Sequence, residues 1–71
     1  RESRNERLTN REMDVIACIA KGFSNQDIAQ ALFVSEKTVK NHLTNIFRKL
    51  GVTDRTQALI YVLKHNIMEL D

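Results

Sequence analysis

Lys37, Asn41, Thr44 and Arg48 stand at steps of four, three and four, so on a helix they share one face, with Lys40 and Asn45 flanking it. These side chains suit the edges of bases and the phosphates beside them. Lysine donates to guanine O6 and N7, and asparagine makes a bidentate pair with adenine. Threonine offers a methyl to thymine or a hydroxyl to a phosphate. From Lys37 to Thr53 the chain carries Lys37, Lys40, Arg48 and Lys49 and no Asp or Glu, a local charge of +4 in a chain of net charge +2. Such a stripe is the footprint expected for a polyanion. A merely solvated helix face has the same appearance, and charge alone does not choose between them.

Other chemistries find less support. The carboxylates fall mostly at helix-capping positions, so no catalytic residue is expected. His42 and His65 have no Asp, Cys or second His at ligand spacing, so neither a metal nor another cofactor is expected. Cys18, the single cysteine, excludes an internal disulfide and a thiolate cluster, and reads as an inert buried thiol. No Gly-rich loop is present to cradle a phosphate. At 71 residues the chain is one domain at most and leaves little room for a deep catalytic cavity. A composition 42% hydrophobic and 28% charged is that of a globular domain, and no Trp, no Pro and two Gly point to an all-α chain. The longest apolar run, Ala58 to Leu63, is far short of the roughly 20 residues of a membrane span. No secretory signal is evident, so a cytoplasmic location is expected, and a start at Arg1 reads as a piece of something longer.

Four helical segments are expected to position the candidate residues. Residues 1–7 contain no apolar side chain and read as the end of a linker. The first helix starts at Thr9, where Thr9 and Glu12 form a capping box and Leu8 and Met13 a hydrophobic staple. Met13, Ile16, Ala17 and Ala20 are its expected buried stripe, and Gly22 its left-handed cap. The second runs from about 24 to 32 behind Ser24, with Ile28, Ala29 and Leu32 inward. The third runs from about 36 to 50 behind Ser35. Its Val39, Leu43, Ile46, Phe47 and Leu50 fall within an arc of about 100°, and Gly51 ends it. The fourth, about 55 to 66, opens with Asp54 and Gln57 in capping-box positions and is apolar nearly all round. Ala58 and Val62 share one face, while Thr56, Ile60, Leu63 and Ile67 line another. That second stripe suggests a partner, unless a wide groove covers both faces.

The second and third segments have the proportions of a helix-turn-helix, with Ala29 permitting close crossing and Val39 as the buried contact of the second helix. Many such units place Gly in the turn; this one has Phe33, which bears strain if a positive φ is required there. The runs L-T-x-R-E at Leu8–Glu12, A-K-G at Ala20–Gly22, S-N-x-D-I-A at Ser24–Ala29 and V-S-x-x-T-V-K-x-H at Val34–His42 occur in order. N-I-x-x-K-L-G-V at Asn45–Val52 and R-x-x-A at Arg55–Ala58 follow. This chain of motifs strongly resembles the LuxR-type (NarL/FixJ-type) DNA-binding domain of bacterial transcription regulators, and covers residues 8 to about 70. The R-T-Q-A and L-K-H-N stretches look most like response regulators of cell-envelope stress systems in Gram-positive bacteria.

The resemblance implies a four-helix domain that binds double-stranded DNA with its third helix in the major groove. Lys40 matches the recurring groove-facing lysine, and Asn41 and Thr44 fall at positions that tune base choice. Asn25, Ser35, Lys37, Thr38, Arg48 and Lys49 match backbone-contacting places, whereas Glu12 and Gly22 match structural ones. His42 also matches a motif position, beside the core. The fourth helix resembles the family's dimerisation helix, so Thr56, Ile60, Leu63 and Ile67 are expected at a homodimer interface. The expected function is sequence-specific DNA binding by the effector domain of a two-component response regulator, in envelope stress or antibiotic response. An N-terminal receiver domain would carry the phosphorylated Asp. Lys40→Ala and Asn41→Ala are expected to flatten discrimination among sites. Lys49→Ala is expected to weaken binding to all DNA and lower the salt slope by about one. Alternatives are a helix-turn-helix that contacts RNA polymerase and the DNA-binding domain of an autoinducer-responsive regulator. A small enzyme or metal-binding domain lacks pocket and ligands.

Overall fold

Three of the four expected N-caps are Ser or Thr and the fourth is Asp, and each closes its helix through its own side chain. The computed structural model describes residues 7–65, so residues 1–6 of the expected linker, the expected last residue of the fourth segment (Asn66) and Ile67 lie outside the described residues. The helices are α1 (Asn10–Ala20), α2 (Asn25–Leu32), α3 (Glu36–Leu50) and α4 (Arg55–Lys64).

Thr9 and Glu12 form the full reciprocal box at 2.9 and 3.0 Å. Ser24 and Asp27 form a second, with both contacts at 3.1 Å. The fourth start differs from expectation. Asp54 accepts from the Gln57 N–H at 2.9 Å, but Gln57 Oε1 accepts from the N–H of Thr53 at 3.1 Å rather than from Asp54. Asp54 has φ −152°, against −74°, −76° and −80° at the other three caps, so its own N–H is oriented differently at the helix start.

Three helices end on a left-handed residue. After α1, Gly22 (φ 85°) lets the Gly22 and Phe23 N–H groups bond the carbonyls of Ile19 and Cys18 at 2.9 and 3.1 Å. After α3, Gly51 (φ 70°) directs the Val52 N–H to the Phe47 carbonyl. After α2 the same turn is made by Phe33, at φ 62° and ψ 43°, with the Val34 N–H on the Ala29 carbonyl at 3.0 Å. A Cβ makes this conformation costly by about 1–2 kcal/mol, and the ring, 93% exposed, recovers nothing by packing. Phe33→Gly is therefore expected to raise stability by about 0.5–1 kcal/mol, after the larger unfolded-state entropy of glycine is offset. Thermal denaturation followed by circular dichroism checks this; an unchanged or lower midpoint contradicts it.

The core is built from Val15, Ile16, Cys18, Ile19, Ile28, Ala29, Val39, Leu43, Ile46, Ala58 and Val62. On α1 this differs from the expected stripe. Ile16 is fully buried, but Met13, Ala17 and Ala20 are only half-buried, and Val15, Cys18 and Ile19 take their place. The reason is that α1 is touched by α2, α3 and α4, so its covered face is set by three neighbours. Cys18 is buried as expected, and that burial pushes its thiol up, away from reactivity. α4 seals Ala58 and Val62 against the core, while Ile60 and Leu63 remain 56% and 39% exposed. The groove thus covers one face of α4 only.

Candidate nucleic-acid interface

α3 divides its side chains sharply. Val39, Leu43 and Ile46 are buried, whereas Lys37, Lys40, Asn41, Thr44, Asn45 and Arg48 are exposed on the reverse. The buried residues bind the helix to α1, α2 and α4, which holds the polar face outward. The polar face keeps its sign, because the next acid beyond Glu36 is Asp54, in another element.

Local hydrogen bonds decide what several of these side chains can still offer. The Thr44 hydroxyl donates to the Lys40 carbonyl at 3.0 Å, which spends its proton and leaves its oxygen as an acceptor. Ser35 Oγ accepts from the Thr38 N–H and donates to Thr38 Oγ1, both at 3.1 Å. With that oxygen already accepting, the Thr38 hydroxyl proton is left as a donor at the amino end of α3. Asn25, half-buried at the start of α2, accepts from Arg55 through Oδ1. His42 is half-buried beside the core.

Lys49 is placed otherwise than expected. Its ammonium donates to Glu12 Oε1 at 2.8 Å and to the Arg7 carbonyl at 3.1 Å, and its side chain is only 14% exposed. It ties the end of α3 to the start of α1 rather than facing water with Arg48. Helical geometry explains this: at 100° per residue Lys49 lies about 80° from Val39 but about 100° from Arg48, nearer the core than the polar stripe. Membership in a run of cations concealed that rotation.

Glu12, the buried charged residue of the core, is 4% exposed. Burial pushes its carboxyl up, but the Lys49 ammonium and the Thr9 N–H outweigh that and hold it below the usual carboxylate range. A group whose folded pKa is depressed contributes stability above its unfolded pKa, and that contribution is lost as the pH falls through the folded value. The thermal midpoint should therefore fall as the pH drops below about 4.3, the ordinary glutamate value. Glu12→Gln should flatten that acid limb; an equally steep limb in the variant contradicts the assignment.

The helix-turn-helix, with a second helix that is basic and free of acids beyond Glu36 at its amino end, defines a DNA-binding transcription regulator domain. Residues 6–62 match the family of bacterial regulatory proteins of the luxR type, and the chain belongs to it. That family is a class of regulators, not of enzymes. The response regulator protein VraR of Staphylococcus aureus is 55% identical over 64 residues, 90% of this chain and 31% of that protein. Its counterpart from Staphylococcus epidermidis matches to the same extent. The chain thus spans about a third of the length of these relatives. Among solved structures, the transcription factor GerE superposes with a TM-score of 0.83 at 41% identity, covering 90% of this chain and 96% of that one. The response regulator ChrA of a heme-sensing two-component system gives 0.86 at 38% identity, over 89% of this chain and 31% of that one. Among the described residues no helix is long and apolar enough to cross a membrane.

Proposed function

We propose that the exposed face of α3 lies in the major groove, with Lys40, Asn41 and Thr44 at base edges. Lys37, Thr38, Ser35 and Asn25 meet the flanking phosphates, and Arg48 adds positive charge to the same side. Lys49 is not among them. The observation that carries this reading is the separation on α3, polar and, beyond Glu36, acid-free outside, aliphatic inside. Phosphate contacts supply affinity and its salt dependence, and the groove-facing side chains supply discrimination.

The open Ile60 and Leu63 face of α4, bordered by Thr56, pairs with a second copy, so that a two-fold dimer reads paired half-sites. The whole protein is a cytoplasmic response regulator with a receiver domain ahead of this chain, acting in cell-envelope stress or antibiotic response. The 55% identity to response regulators and the R-T-Q-A and L-K-H-N stretches support that assignment.

In vitro selection from random duplexes tests the DNA reading. Enrichment of a two-fold repeated motif, with the logarithm of the affinity falling linearly in log salt, is the expected result. Recovery of unrelated sequences, bound equally well, refutes it. Chromosomal occupancy that does not change under a cell-wall-active antibiotic refutes the envelope-stress assignment alone.

A further inference from the structure

Arg55 opens α4, yet its half-buried guanidinium reaches the amino end of α2. Nη1 donates to the Phe23 carbonyl at 3.1 Å, and Nη2 donates to Asn25 Oδ1. A guanidinium carries donors only, so the Asn25 carboxamide has to present its oxygen to it. The oxygen and nitrogen of a carboxamide diverge from one carbon, so the same contact turns the NH2 group away from Arg55. Phe23 fixes the other prong through a backbone carbonyl, in the turn closed by the Gly22 and Phe23 N–H groups. The fork is thus anchored at one end and aims a side chain at the other.

We propose that Arg55 is a positioning residue for DNA binding. By gripping Asn25 Oδ1 it aims the Asn25 NH2 at a backbone phosphate, so a residue of α4 sets a contact made by α2. The inference rests on the reading of Asn25 as a phosphate contact. Without the grip, Asn25 samples other rotamers and both amide orientations, and DNA has to order it on binding. Lysine cannot replace the fork: a single ammonium on a flexible stem keeps the charge but not the planar pair of donors.

The test uses the protein with a duplex bearing its in vitro selected site, and combines binding isotherms with phosphate-ethylation interference. Asn25→Ala is expected to weaken binding about tenfold, the scale of a hydrogen bond to a charged group, and to erase interference at one phosphate. Arg55→Lys is expected to weaken binding severalfold and erase interference at that same phosphate. Its salt slope should be unchanged, because the charge is kept. In an Asn25→Ala background Arg55→Lys should add less than about twofold, since its route is already cut. Thermal melts establish that each variant folds; if Arg55→Lys does not, Arg55→Gln, which still offers an amide donor, takes its place in the cycle.

Full affinity and an unaltered footprint in Asn25→Ala overturn the phosphate reading of Asn25. An Asn25→Ala defect with independent, additive loss from Arg55→Lys overturns the positioning role of Arg55 and leaves the Asn25 contact standing.

Discussion

Lys49→Ala is expected to lower the stability of the fold by about 2–4 kcal/mol. Removing one partner of a buried ion pair leaves the other charge uncompensated, at about 3–5 kcal/mol when burial is complete. Here the Glu12 side chain is 5% exposed and that of Lys49 14%, so the loss is somewhat smaller. A domain of this size has about 5–10 kcal/mol in total, which makes the substitution one of the most damaging available. Urea denaturation checks it. Adding Glu12→Gln to Lys49→Ala should recover part of the loss, since no buried charge then remains, although Thr9 N–H keeps an acceptor. An unchanged urea midpoint, combined with weaker binding to all DNA and a salt slope lower by about one, would instead return Lys49 to the phosphate contacts.

Lys40→Ala and Asn41→Ala are expected to act on discrimination and hardly on folding. Both side chains are exposed on α3, so stability should change by no more than about 0.5 kcal/mol. Each groove contact carries about 1–3 kcal/mol of preference for its base pair. The ratio of affinities for the selected site and for a site altered at the contacted pair should therefore fall by about 5- to 150-fold. The loss should be confined to one position of each half-site, different for the two variants. Competition binding against a panel of singly altered duplexes measures it. A Lys40→Ala protein that keeps every preference removes that residue from the groove.

Side chains that act through their nearest neighbours along the chain were legible before any coordinates. Thr9, Ser24 and Ser35 cap because their oxygens reach an N–H three residues on, a geometry that sequence spacing specifies. For Phe33 the sequence posed only a condition, strain if the helix-turn-helix turn requires a positive φ where many such units have Gly, and the fold meets that condition. The burial of α1 is less legible. Its periodic stripe located Ile16, but three neighbouring helices chose Val15, Cys18 and Ile19 over Met13, Ala17 and Ala20.

The amino-acid sequence by itself determined four helices, their caps, and a third helix with one aliphatic and one basic face, because periodicity and capping are local. Only the tertiary structure decided which cations are spoken for. Glu12 and Lys49 lie 37 residues apart, and Arg55 and Asn25 30 apart. Their pairing depends on the packing of whole helices, and an ion or a guanidinium takes its partner from whatever the fold brings within about 3 Å. That is why Lys49, one more positive charge in the sequence, is a clasp between two helices in the fold.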